Sequence, residues 1–431
     1  MVRFPKIVWL LALALIAAAC TNGGESPTTT VAPAADTTVG PETTTTTLLE
    51  ITELPGTEGL PAEVQDQLLE LVRITQETRG LSFKTAPLVS VVTDAELEAL
   101  VRDQIAEDAE DIPVDEALYQ LLGLLDPGVD FENLLTDLYG EQVAGYYDGE
   151  TGELVVPIRA EGFSVVQKAT LIHELTHSLT DQNFEFHDAY EAMFDEQRYD
   201  EASAYQALIE GDASLAEVLY LQTLSQAELG EFFAEALQQG SEQLEAAPQF
   251  LQDSLLFPYD SGLTFVQTLY QDSGTWSAVD DAYVTMVGLP GSTEQIITPE
   301  DFGRDLPIEV VMPEVTVAGY ELEESSVWGE FGLRVLFDEV LNDTDTLEAA
   351  DGWGGDHYSV FYDGSNVAFV LVYEGDTTAD RDEAEAALLE FARGSVPEAA
   401  FVWVEVLNDK LTFIAADVPS VGDAILASFG G

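Results

Sequence analysis

The chain has 431 residues, 46% of them hydrophobic and only 22% charged, enough length and apolar content for two or three domains with cores of their own. Asp and Glu number 81 against 14 Lys and Arg, a formal net charge of −67 spread along the sequence rather than gathered in a tail. Such a field repels polyphosphate backbones and anionic headgroups and so argues against nucleic acid as a partner; it suits surroundings salty enough to screen self-repulsion, or an attraction for cationic substrates.

Residues 1–20 have the pattern of a secretion signal. Arg3 and Lys6 supply positive charge, and Ile7 to Ala19 form thirteen apolar residues, too few to span a bilayer. The run ends in Ala17-Ala18-Ala19-Cys20, which resembles the lipobox of bacterial lipoproteins, with Ala17 where a larger aliphatic residue is usual. Cys20 is the candidate lipidation site, and ordinary cleavage at an Ala-x-Ala-like site is the alternative. It is the only cysteine, so no internal disulfide is expected. Residues 21–50 read as a disordered Thr/Pro-rich linker, with eleven threonines in 21–47. The expected location is the cell membrane, lipid-anchored and facing outside the cytoplasm.

A larger domain is expected over 60–310 and a smaller α+β domain over 320–431. Pro61 to Thr78 has helical spacing, Ala86 to Val92 reads as a strand, and Thr93-Asp94-Ala95-Glu96 resembles a capping box opening a helix to about Asp108. Short helices fit 115–125 and 130–139. Gln142 to Tyr147 and Glu153 to Pro157 read as a hairpin across the turn-rich Asp148 to Gly152. Long helices are expected over about 164–181 and 200–225, and two or more further helices over 227–288. Beyond the composition change at 307–317 come a helix over 329–341 and a hairpin from 358–361 and 367–372. A helix over 381–393, a hairpin from 401–407 and 410–415, and a helical end complete the chain.

His173-Glu174-Leu175-Thr176-His177 is the most informative segment. On a helix the two histidines are i and i+4, so both imidazoles leave one face and can share a cation. Two imidazoles with a third protein ligand and one open position suit a single catalytic Zn2+ per chain. Glu174 is placed to act as general base toward the attacking water. The chain has only four histidines, and two of them fall at this spacing around a glutamate. Leu171, Ile172, Leu175 and Leu179 make the helix largely buried.

The third ligand is expected from a later helix. Asn183 stands where one subclass of such sites carries a third histidine, and His187 lies beyond the expected helix end. The candidate is Glu210, followed by small residues that allow close helix approach, with Glu201 as the alternative. Gly211 within a helix costs about 1 kcal/mol against alanine, which points to a packing reason beside the site. Asp212 or Ser214 is expected to orient a ligand histidine.

With these residues the chain resembles a bacterial, often actinobacterial, group of HExxH lipoproteins in the gluzincin-like part of the zincin metallopeptidases. The resemblance runs from about 138 to 362. It rests on Glu141 to Asp148, the HELTH helix through Gln182, Glu210-Gly211-Asp212-Ala213, Pro258-Tyr259 with Gly262 and Phe265, Ser292 to Gln295, and Gly352 to Asp356. Similar sequences tend to carry a histidine at Thr298, and a different basic residue at His357. The resemblance implies a zincin-like fold of α+β class: a small sheet, an active-site helix behind it and a mostly helical lower part. It also implies that the 142–147 strand accepts an extended peptide. Tyr259 is a candidate donor to the oxyanion of the tetrahedral intermediate, or an aromatic of the core. Trp353 with its glycines reads as a tight turn and core anchor.

The leading functional expectation is hydrolysis of peptide or protein substrates outside the cytoplasm. A zinc-binding surface lipoprotein that acts as a scaffold, and hydrolysis of another amide such as a cell-wall crosslink, are the alternatives. A scaffold has no need of Glu174.

Overall fold

The computed structural model describes residues 48–430 apart from 108–110, 143–144, 158–161, 239–241 and 290; the signal, Cys20 and most of the linker lie outside the described residues. The architecture is α+β, with a helical body, a three-stranded sheet and a five-stranded sheet. No described helix is long and apolar enough to cross a membrane.

Helix α1, Ala62–Arg79, buries Val64, Leu68, Leu71 and Val72 on one stripe. Strand β1 is Leu88–Val92. The Thr93 to Glu96 box forms as expected: the Thr93 N–H donates to Glu96 Oε2 at 2.8 Å and the Glu96 N–H to Thr93 Oγ1 at 3.2 Å, opening α2, Asp94–Glu107. Helix α3, Ile112–Leu122, starts three residues earlier than expected, with Pro113 in its first turn, and stops at left-handed Gly123.

Helix α4, Phe131–Gln142, overturns one expectation. Gln142 ends a helix rather than opening a strand. The apolar set Phe131, Leu135, Leu138 and Tyr139 keeps helical spacing to that point, and Gly145 at φ +134° marks the break. Strand β2 is therefore only Tyr146–Asp148; it pairs antiparallel with β3, Glu153–Pro157, which pairs parallel with β1. With order β1-β3-β2, strand β2 is an edge of this sheet. Leu154 and Val156 of β3, with Val89 of β1, pack on Leu171, Ile172, Leu175 and Leu179 of helix α5, Val165–Phe184. Ser164 and Gln167 close a capping box at the start of α5.

Helices α6, Phe186–Asp195, and α7, Tyr199–Leu221, follow, then α8, Gln226–Ala236, α9, Glu242–Ala246, and α10, Gln249–Ser273. Where α7 and α10 cross, a Cβ on Gly211 would lie 2.1 Å from the Gly262 carbonyl oxygen, and one on Gly262 would lie 2.1 Å from the Ala207 oxygen. The two backbones are in direct contact there, the packing reason that the glycine inside α7 implied. A buried ion cluster ties α1 to the same region. Arg79 Nε donates to Asp212 at 2.7 Å and its Nη2 to Asp280 at 2.6 Å, on helix α11, Ser277–Gly288. The Arg79 guanidinium lies 4.2 Å from the centre of the Trp276 ring.

Short helix α12, Thr293–Ile297, leads to the second sheet. Its strands are β4, Glu321–Ser326; β5, Trp353–Tyr362; β6, Val367–Gly375; β7, Phe401–Leu407; and β8, Lys410–Ala416, in the order β4-β5-β6-β8-β7, all antiparallel. Helices α13, Gly329–Asp338, α14, Asp343–Ala350, α15, Thr378–Gly394, and α16, Pro419–Ser428, complete it. Strand β4, with the sequence Glu-Leu-Glu-Glu-Ser-Ser, has no apolar alternation to announce it. Trp353 is fully buried and its indole N–H donates to Asp356 Oδ2 at 2.7 Å. Asp356 also accepts the Trp328 and Gly329 N–H groups at 2.6 and 2.9 Å, so the Gly352 to Asp356 motif anchors the start of α13. The core of this sheet is continuous with that of the helical body.

Candidate metal centre

Helix α5 carries His173 and His177 one turn apart, and their rings stand edge to face with centroids 4.7 Å apart. Helix α7 presents Glu210 against both. Glu210 Oε2 is 3.1 Å from His173 Nε2 and 3.4 Å from His177 Nε2. One ligand atom from each of the three lies within 4.8 Å of the others, and all three side chains are buried. Among the described residues no other group of His, Cys, Asp or Glu converges in this way. Two imidazole nitrogens and a carboxylate oxygen so placed can hold a metal ion.

Glu174 faces a different partner. Its Oε2 accepts the Tyr147 N–H of edge strand β2 at 2.7 Å. The strand is latched to α5 a second time through the Tyr147 hydroxyl, which donates to Asp181 Oδ2 at 2.8 Å, and Asp181 Oδ1 accepts the His187 N–H at 3.0 Å. Burial pushes the Glu174 carboxyl up to about 7, against the pull of His177 and His173. Burial also resists ionising Glu210, but His177 and His173 outweigh it and hold that carboxyl down at about 2. For His173 burial disfavours the charged ring, yet Glu210 and Glu217 raise it to about 10. Neighbouring carboxyls are thus driven apart, one toward neutrality and one toward firm ionisation.

Tyr259 reaches the cluster from α10. It stands one turn before Gly262, as Glu210 immediately precedes Gly211, so the glycine crossing brings the two side chains together. The Tyr259 hydroxyl is hydrogen-bonded to Glu210 and its ring lies 6.2 Å from that of His173. Burial, with Glu210 and Glu174 beside it, raises the phenol well above its ordinary value, which keeps it a donor.

The alternatives of the sequence reading fall elsewhere. Glu201 is nine residues before Glu210, half a turn out of phase on α7, and it pairs with Arg198 Nη1 at 2.7 Å. Asp212 is corrected as well: it serves Arg79 and the Tyr283 hydroxyl, the latter at 3.0 Å, rather than a histidine. Ser214 is buried, and no hydrogen bond joins it to either histidine among the described residues. His187 packs against Gly149. Thr298 ends α12, its N–H donating to the Glu294 oxygen at 2.8 Å. His357 lies on β5, where Nε2 is 2.9 Å from Ser325 Oγ. The residue that sequence reasoning missed is Glu217, whose Oε2 is 3.5 Å from His173 Nδ1. The signal was present: seven residues are two helical turns, so Glu217 shares the face of Glu210.

Residues 316–416 match a family described as a domain of unknown function, DUF8575. The match covers the five-stranded sheet and includes none of His173, Glu174, His177 and Glu210. No curated protein matches the chain. Among solved structures, a crystal structure described as "a putative hydrolase with a novel fold" from Chloroflexus aurantiacus aligns at 19% identity with a TM-score of 0.36. The alignment covers 57% of this chain and 92% of that one.

Proposed function

We propose that this chain is a zinc-dependent peptidase of the HExxH type, in the gluzincin-like part of the zincins. The carrying observation is the convergence of His173 and His177 from α5 with Glu210 from α7, with Glu174 held beside them. The donor set of two imidazoles and one carboxylate fits zinc. When bound, zinc supplies the Lewis acidity that makes water a nucleophile at neutral pH. Glu174 takes a proton from the attacking water and returns it to the leaving amine; its carboxyl, lifted toward neutrality by burial, is matched to both transfers. Tyr259, kept protonated, stands beside Glu210 as a donor for negative charge developing on the substrate carbonyl oxygen. The single edge of β2 next to Glu174 is where an extended peptide adds to the sheet.

The test of the centre is a metal assay on the full chain. The parent should hold about one zinc, by the ligand count. Glu210→Gln should weaken binding at least about tenfold, because a ligand is lost, whereas Glu201→Gln on the opposite face should bind like the parent. A parent that purifies without zinc and takes up none, or the reverse ranking of the two variants, overturns the assignment.

The near-complete burial of His173, Glu174, His177 and Glu210 favours a second reading, a zinc-holding scaffold without turnover. In either case the signal segment proposes export and a lipid on Cys20, with the linker spacing the body from the membrane. Cys20→Ser should therefore move the protein from the membrane to the soluble fraction or block its processing. Unchanged membrane retention of a processed variant means a different tether.

A further inference from the structure

Resting on the reading of His173, His177 and Glu210 as a metal centre, we infer that Glu217 is its positioning residue, holding the His173 ring so that Nε2 faces the cation and Nδ1 keeps its proton. The two nitrogens of this imidazole meet two carboxylates of one helix. Nε2 is 3.1 Å from Glu210 Oε2, and Nδ1 is 3.5 Å from Glu217 Oε2. His173, Glu210 and Glu217 are 3%, 2% and 4% exposed, so solvent does not compete for these groups.

The chemistry follows from the donor inventory. A carboxylate only accepts, so each ring nitrogen facing one carries either a proton or a cation between the two. A ring that ligates a metal keeps a single proton. With Glu217 on the Nδ1 side, that proton stays on Nδ1, and the lone pair that becomes free is the Nε2 pair aimed at Glu210. Without Glu217 the proton is held best between Nε2 and Glu210, where it blocks the ligand position. Glu217 thus turns the His173–Glu210 contact from a hydrogen bond into a pair of ligands, and an acceptor on the far nitrogen makes the imidazole a better donor to the metal. His177 lacks this support: its Nδ1 is buried without a hydrogen-bond partner among the described residues.

Two substitutions separate this role from packing. Glu217→Gln keeps an acceptor oxygen at the same reach, whereas Glu217→Leu removes it. In the full chain, competition with a chelator should show zinc affinity within about threefold of the parent for Glu217→Gln and about 10- to 100-fold weaker for Glu217→Leu. Melting temperature in chelator monitors folding, and a purely structural role would lower it without separating the metal affinities. The chain has only four histidines, so 15N-histidine labelling reads the ring directly. In the zinc-loaded parent, His173 should show a protected Nδ1–H and a metal-shifted Nε2, a result independent of any variant. A loaded parent with His173 bound through Nδ1, or a folded Glu217→Leu variant with the parent's affinity, overturns this inference and leaves the metal centre standing. A parent that binds no zinc overturns the metal reading itself and this inference with it.

Discussion

Glu174→Gln is expected to lower peptide hydrolysis by at least about a hundredfold while the zinc content stays that of the parent. The glutamine keeps the size of the side chain and an oxygen for the Tyr147 N–H, so the latch between β2 and α5 survives. What it loses is the ability to take a proton. Glu174 is outside the converging trio, so the metal should be unaffected. Because the base acts in the transition state, the loss belongs in kcat rather than in KM, and binding of a peptide should persist. The assay requires several salt concentrations, since a chain of net charge −67 repels itself when unscreened. A parent that holds zinc yet cleaves no member of a broad peptide library favours the scaffold. A Glu174→Gln variant that cleaves as fast as an active parent removes the carboxylate from the mechanism.

Gly211→Ala is expected to destabilise the protein by about 1–3 kcal/mol and to weaken zinc binding, although alanine is the better helix former by about 1 kcal/mol. The added Cβ falls 2.1 Å from the Gly262 oxygen and 2.3 Å from the Gly262 carbon, atoms of a helix backbone that cannot turn aside. The helices must separate, and the separation pulls Glu210 away from the histidines and from Tyr259. Gly211→Leu should prevent folding altogether. Gly230, also inside a helix, is the control: it is exposed and a Cβ there meets nothing within 4 Å, so Gly230→Ala should stabilise by up to about 1 kcal/mol. Denaturant melts of both alanine variants check the opposite signs. If Gly211→Ala is as stable as the parent and binds zinc equally, the close crossing does not set the geometry of the site.

Local rules carried much of this structure into the sequence. The capping boxes at Thr93 and Ser164, the i, i+4 histidines and the apolar face of α5 are short-range patterns, and each element formed where its pattern lies. Glu210 could be chosen over Glu201 because the glycine after it promised a close crossing. Strand β4 stayed hidden, since an acidic sequence on an edge has no alternation to show. Gln142 was misread because the helical spacing from Phe131 runs up to it, only a few residues before the strand that begins at Tyr146.

The sequence by itself determined the chemistry offered by α5 and the phase of every residue on its own helix. Which faces meet was decided by tertiary packing alone. The α7–α10 contact at Gly211 and Gly262 set Tyr259 beside Glu210, and the Arg79 cluster claimed Asp212 for α1. Glu217 came to the free nitrogen of His173 in the same way. Helical periodicity fixes angles about one axis, but the distance and rotation between two axes depend on side chains far apart in the chain.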